Sequence, residues 1–212
     1  AADITKAGGR AVAVATDVAV AADVEAMVGT AVARFGGVDI LVNNAAVEPS
    51  VSLLELAEAT FDRAIAVNLK GPWLCARTVV PLMVERGRGH IVNTSSVLGM
   101  TAFPNDAPYG TTKAAVIALT RAMALEWSAL GIHANCIVPG STDTPMMWAG
   151  LAEADIPAER MALGQAIPVG RIATADEIAR ISLWLVTEDS AYVNGTTIVA
   201  DGGVSARNPS PR

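Results

Sequence analysis

The strongest constraint on the fold is an alternation: short apolar runs ending in small polar residues come between longer, Ala-rich stretches of helical periodicity. The clearest runs are residues 38–42 (VDILV), 90–95 (HIVNTS) and 132–138 (IHANCIV). A run that is apolar nearly throughout suits a strand covered by helices on both faces, as in a parallel sheet. Strands alternating with helices therefore predict an α/β fold with right-handed crossovers. Ligands of such sheets bind outside the carboxyl ends of the strands, which directs attention to the residues at and after Asn43, Ser96 and Pro139.

In chain order, the pattern predicts the end of a helix over residues 1–6, stopped by Gly8 and Gly9, a strand over 11–15, and a helix over 19–35 that ends at Gly36 and Gly37. After the 38–42 strand, helical periodicity runs over 55–86, broken near Pro72 and Pro81. A long helix over 107–130 separates the next two strands, a capped helix follows over 174–186 with Thr174 three residues before Glu177, and a last strand covers 196–200. Residues 146–167, with Met146, Met147, Trp148, Met161 and Leu163, read as a loop able to close over an uncharged ligand. Residues 1–204 are expected to form one domain and 205–212 a disordered tail.

A chain of 212 residues that is 52% hydrophobic and 17% charged can bury a substantial core. Its net charge of −6 argues against nucleic acid or an anionic membrane surface as partner. No apolar run approaches the roughly 18 residues of a membrane helix and no signal peptide is visible, so the expected setting is the cytoplasm. Cys75 and Cys136 lack a Cys-x-x-Cys spacing and read as reduced core thiols, while His90 and His133 read as structural side chains; no metal is expected.

The chemistry is concentrated in residues 93–113, NTSSVLGMTAFPNDAPYGTTK. Tyr109 and Lys113 are four residues apart, one turn of the same helix face. A phenol with a pKa of about 10 is a poor proton donor or acceptor at neutral pH. An ammonium about 4 Å away, at an effective dielectric of about 20, would favour the phenolate by roughly 4 kcal/mol, so Tyr109 is expected to titrate at about 7. Ser96, thirteen residues earlier at a strand end, could donate to a substrate oxygen. The plainer reading is a helix-start aromatic, a solvated lysine and a serine turn; with two tyrosines in the whole chain, a Tyr-x-x-x-Lys is rarely an accident.

Ser96, the Tyr109-x-x-x-Lys113 pair, Asn43-Asn44-Ala45-Ala46 and Pro139-Gly140 together resemble the signature of the short-chain dehydrogenases/reductases, which are NAD(P)-dependent enzymes with a Rossmann-type, doubly wound parallel sheet. The resemblance runs from about Gly8 to Gly203, where Asp201-Gly202-Gly203 completes it. It implies that Ser96 and Tyr109 hold a carbonyl oxygen, Tyr109 exchanges the proton, and Lys113 holds the nicotinamide ribose. Asn68, within Ala66-Val67-Asn68-Leu69, matches an asparagine that holds a helix kink and a water, linking Lys113 to solvent; otherwise it is a polar residue tolerated in a helix. Cofactor contacts are implied for Asp17 and Val18 at the adenine and for Asn43 and Ala45 in the turn after the 38–42 strand. In that turn Ala46 stands where the family usually has Gly. Pro139 and Gly140, with Thr142 backbone and the Thr144 hydroxyl, would lie against the carboxamide. Asp17 is equally readable as a helix cap.

The family's Thr-Gly-x-x-x-Gly-x-Gly loop and the residue that separates NAD from NADP would both precede Ala1, so the sheet is expected to be N-terminally incomplete, without its first two strands. Two readings follow. One is an oxidoreductase interconverting a secondary alcohol and a ketone, on a small uncharged or apolar substrate; the other is a truncated homologue without dinucleotide binding, an interaction module or pseudoenzyme. Intact mass and N-terminal sequencing separate them, and the 212 residues alone are expected to bind either dinucleotide weakly or not at all. A 3-oxoacyl-acyl-carrier-protein reductase ranks below a small-alcohol enzyme, because it would need a basic patch and the chain has 15 basic against 21 acidic residues. The resemblance also implies a homotetramer, or a homodimer, pairing the helices over 72–85 and 107–130.

Overall fold

Six strands and seven α-helices carry residues 1–207, the part described by a computed structural model. The strands are β1 (Ile40–Asn43), β2 (Gly89–Thr94), β3 (Ile132–Pro139), β4 (Thr142–Asp143), β5 (Ala173–Thr174) and β6 (Thr197–Ala200). The helices are α1 (Ala2–Lys6), α2 (Ala21–Phe35), α3 (Glu58–Ile65), α4 (Gly71–Glu85), α5 (Ala107–Trp127), α6 (Ile156–Ala166) and α7 (Ala175–Trp184). One parallel sheet has the order β1-β2-β3-β6, and β4 pairs with β5 in a small parallel sheet of its own.

The expected two-sided burial is present. Successive side chains of a strand point to opposite faces. Ile91, Ile132 and Ala134 pack on one face with Val24 and Val28 of α2 and Leu74, Val79 and Met83 of α4. Val92 and Ile137 pack on the other with Ile178 and Ile181 of α7 and with Leu185. This is the doubly wound, Rossmann-type arrangement. No described helix is long and apolar enough to cross a membrane. Cys75 and Cys136 are buried free thiols, and no described group of three or more His, Cys, Asp or Glu side chains could hold a metal ion.

Four local expectations are corrected. Residues 11–15 form no strand: a strand needs a neighbour for its peptide groups, and none of the described strands lies beside them. Residues 146–167 are not loop throughout, because α6 occupies Ile156–Ala166, with Pro157 in its first turn where a missing N–H costs nothing. The helical stretch is not broken at its prolines; α3 runs into α4 through a π-helical turn, Ala66–Lys70, that absorbs the register change just before Pro72, and Pro81 sits on the exposed side of α4. Ser205 is also not loose, since its N–H is held by the Asp201 carboxylate at 2.7 Å; residues 208–212 of the expected tail lie outside the described residues.

Buried polar groups tie the sheet to its helices. Asn43 faces Asn93 across the β1–β2 register, and its amide donates to the Asn93 side chain (2.8 Å) and to the Pro72 carbonyl of α4 (3.3 Å). Asn93, fully buried, donates in turn to the Thr120 hydroxyl of α5 (2.9 Å). Asn93→Leu removes one acceptor of the Asn43 amide and the donor to the Thr120 hydroxyl, each leaving a buried polar group partly unsatisfied, so chemical denaturation is expected to show a loss of about 2–4 kcal/mol. A loss below about 0.5 kcal/mol would show that these groups find other partners.

Candidate active site

The site is built where β2 ends. Ser95 is buried and its hydroxyl donates to the Lys113 carbonyl (2.7 Å), fastening the strand end to α5. Ser96 caps a 3-10 turn, Val97–Gly99, with its oxygen accepting the Leu98 N–H (3.2 Å). Gly99 is required here by close approach: a Cβ would stand 2.8 Å from the Lys113 carbonyl carbon and 2.9 Å from the Ser95 oxygen. α5 starts with Pro108 in its first turn, which fits a position whose N–H has no helical partner. One helical turn then sets Tyr109 and Lys113, 8% and 3% exposed, side by side.

Lys113 Nζ lies 5.4 Å from the Tyr109 ring centre and donates to the Thr94 carbonyl at 2.8 Å. Burial pushes the Tyr109 phenol up to about 12, the Glu48 charge adds to this, and the Ser96 hydroxyl opposes it. Burial draws Lys113 down to about 8, against the charges of Cys136 and Glu48. The expected titration of Tyr109 at about 7 is therefore not met. Desolvation dominates both groups, and the ammonium is directed at a backbone carbonyl.

Asn68 lies in the π-helical turn and is 1% exposed. Its oxygen accepts the Val47 N–H (2.8 Å), and its amide donates to the Val47 carbonyl (2.8 Å) and to the Thr112 hydroxyl (3.1 Å). Thr112 precedes Lys113 and bonds the Tyr109 carbonyl at 2.7 Å, so Asn68 joins the loop after β1 to the helix turn that bears both groups. The structure thus brings Asn68, Ser96, Tyr109 and Lys113 together at the carboxyl end of β2.

The residues singled out for a cofactor are more dispersed. Gly140 ends β3's turn in tight contact with Asp201, where a Cβ would meet the Asp201 Cα at 2.8 Å. Pro139, Gly140, Thr142 and Thr144 follow one another there, with the Thr142 hydroxyl donating to the Gly140 carbonyl (3.0 Å) and the Thr144 oxygen accepting the Met147 N–H (3.4 Å). Ala45 is exposed in the turn after β1, whereas the Asn43 side chain is committed to the core network described above. Asp17 pairs with Arg63 at 2.8 Å and accepts the Ala19 N–H at 3.0 Å, and the Arg63 guanidinium holds its carboxyl below the ordinary value. Val18 packs against Gly71 at the start of α4.

Sequence reasoning missed four contributors. Thr94 and Thr112 act through a backbone carbonyl and a threonine hydroxyl that no motif marks. Glu48 follows the Val47 peptide clamped by Asn68. Asp143 accepts both the Trp148 indole N–H (2.7 Å) and the Arg160 guanidinium (2.8 Å), pinning α6 to β4; acid–base spacing of 17 residues carries no local signal.

Residues 1–205 match the family model described as enoyl-(acyl carrier protein) reductase. The 2-(R)-hydroxypropyl-CoM dehydrogenase of Xanthobacter autotrophicus is 38% identical over 197 residues, 91% of this chain and 77% of its own length. Dehydrogenase/reductase SDR family member 4 of Bos taurus is 37% identical over 187 residues, 86% of this chain and 65% of its own. A solved gluconate 5-dehydrogenase of Burkholderia cenocepacia, in complex with NADP and tartrate, superposes with a TM-score of 0.89 at 35% identity, covering 98% of this chain and 80% of that one. Because these matches run through the Ser96–Tyr109–Lys113 stretch as well as the sheet, the chain belongs to the short-chain dehydrogenase/reductase family of oxidoreductases.

Proposed function

We propose that the chain interconverts a secondary alcohol and a ketone with NAD or NADP, on a small uncharged or apolar substrate. The observation that carries this reading is the meeting of Ser96, Tyr109 and Lys113, with Tyr109 and Lys113 nearly excluded from water, at the carboxyl end of a central parallel strand. The residues present fit the nicotinamide half of a dinucleotide. The Pro139–Thr144 turn, which only a glycine at 140 allows against Asp201, lies at the end of the neighbouring strand and would meet the carboxamide through Thr142 and Thr144. Lys113 and Tyr109 would hold ribose hydroxyls, Asn43 and Ala45 belong to the turn beside it, and Val18 with Asp17 would meet adenine once Arg63 yields its bond.

The nicotinamide supplies or accepts the hydride when bound. Ser96 donates a hydrogen bond to the carbonyl oxygen. Tyr109, pushed up to about 12 by burial, keeps its proton at neutral pH and gives it to the forming alkoxide; in oxidation it takes the alcohol proton as the phenolate, so oxidation gains with rising pH. Lys113 adds a fixed positive charge to the oxygen pocket. Asn68 would take part in a proton path from Lys113 to solvent, and its bond to Thr112 places it beside the turn that bears Lys113.

Nicotinamide absorbance, followed with paired secondary alcohols and ketones on a protein that carries the complete dinucleotide-binding unit, tests this: consumption of NADH or NADPH with a cyclic ketone supports it, and no turnover of any secondary alcohol or ketone overturns it. The proposal includes self-association as a homotetramer or homodimer. Ala114, Ala118, Ala122 and Leu125 form an exposed stripe along α5, and Trp73 and Val84 are exposed on α4. A monomer mass by light scattering at micromolar concentration would remove that part. The cytoplasm, where thiols stay reduced, suits the free Cys75 and Cys136.

A further inference from the structure

We propose that Thr112 is a positioning residue that couples the loop after β1 to the turn of α5 bearing Tyr109 and Lys113. The inference deepens the secondary-alcohol reading and rests on it for its effect on turnover. Thr112 is fully buried, and its hydroxyl is used twice: it donates to the Tyr109 carbonyl at 2.7 Å and accepts from the Asn68 amide at 3.1 Å. A helical threonine commonly satisfies its hydroxyl on the preceding turn, so the first bond alone would mark nothing. The second bond comes from another element. Asn68 sits in the π-helical turn and directs its other amide proton and its oxygen to the carbonyl and the N–H of Val47, each at 2.8 Å.

One buried line of hydrogen bonds therefore runs from Val47 through Asn68 and Thr112 to the backbone of Tyr109. The group at its middle must both donate and accept; a hydroxyl does so, and valine, of the same shape, does neither. The line joins two parts that the reaction must bring into register. Val47 follows the turn at Asn43 and Ala45 proposed to meet the dinucleotide, and Tyr109 is the proposed proton donor. The other end of the helix turn is fixed separately, by the Ser95 hydroxyl on the Lys113 carbonyl (2.7 Å) and by the Lys113 ammonium on the Thr94 carbonyl (2.8 Å). Loss of the hydroxyl at 112 thus leaves α5 in place while the loop and Tyr109 become free to shift against each other. A misplacement of about 1 Å can slow a reaction by as much as about 10²-fold.

Amide hydrogen exchange at Val47, read on the 212-residue chain, tests the coupling without cofactor or turnover. Thr112→Val is expected to raise exchange at Val47 about fivefold, the worth of one lost hydrogen bond, while the Gly140 N–H, held by the Ala200 carbonyl at 3.0 Å on the far side of the sheet, is unchanged. Thr112→Ser keeps the hydroxyl and should match the wild type at both positions; Thr112→Ala should repeat the valine result where valine crowds the site. In a protein that carries the complete dinucleotide-binding unit, Thr112→Val should lower kcat about tenfold with KM within about twofold, and Thr112→Ser should restore kcat. Unchanged exchange at Val47 in the variants without a hydroxyl, an equal rise at Gly140, or an unchanged kcat would each overturn the proposal. A wild type that turns over no secondary alcohol or ketone, with the Val47 response present, would overturn the secondary-alcohol reading and leave the coupling standing.

Discussion

In a protein that carries the complete dinucleotide-binding unit, Tyr109→Phe is expected to lower turnover at least about 10²-fold, with dinucleotide affinity nearly unchanged. The substitution removes one oxygen, the proposed proton donor; general acid–base catalysis is typically worth about 10² to 10⁴. The ring stays in its buried place against α5, which confines the effect to chemistry. Steady-state rates and cofactor titration of the variant check this. Activity above about a tenth of wild type would show that another group, or water, supplies the proton.

Lys113→Met is expected to split activity from stability. Turnover should fall by about 10²-fold or more with the loss of the fixed charge beside Tyr109. Stability should rise. The folded chain holds the Lys113 proton less tightly than the unfolded chain, with a pKa of about 8 against 10.5. In the pH window between these values the unfolded state binds more protons, so wild-type stability climbs with pH. Below about 8 the full deficit is present, on the order of 3 kcal/mol. It is partly offset by the Thr94 hydrogen bond, which methionine lacks. The variant should therefore unfold at higher denaturant than wild type at pH 7, by an amount that shrinks as pH rises towards 10. A variant less stable at pH 7, by a margin that does not change with pH, would show that the buried ammonium is fully compensated by its neighbours.

Both variants depend on a pair that was legible one-dimensionally. Periodicities of two and 3.6 residues, together with near-neighbour spacing, are local properties of a chain. The sequence alone therefore determined the parallel α/β class, the runs that became β1, β2 and β3, the one-turn spacing of Tyr109 and Lys113, and the strand end that bears Ser96. It also placed the capping box of α7, where Thr174 and Glu177 bond each other's backbone.

Only the tertiary structure decided the rest, because the rest depends on what lies beside a residue. Residues 11–15 have the composition of a strand, but no strand among the described residues lies beside them, and they form none. The direction of Tyr109's titration turned on how much water reaches it and on where Lys113 points, and burial reversed the sign that a pairwise argument predicts. The Asn43 side chain bonds into the core because Asn93 stands opposite it in register. The loop after β1 is fixed only because Asn68, twenty-one residues after Val47, closes on both the N–H and the carbonyl of that residue.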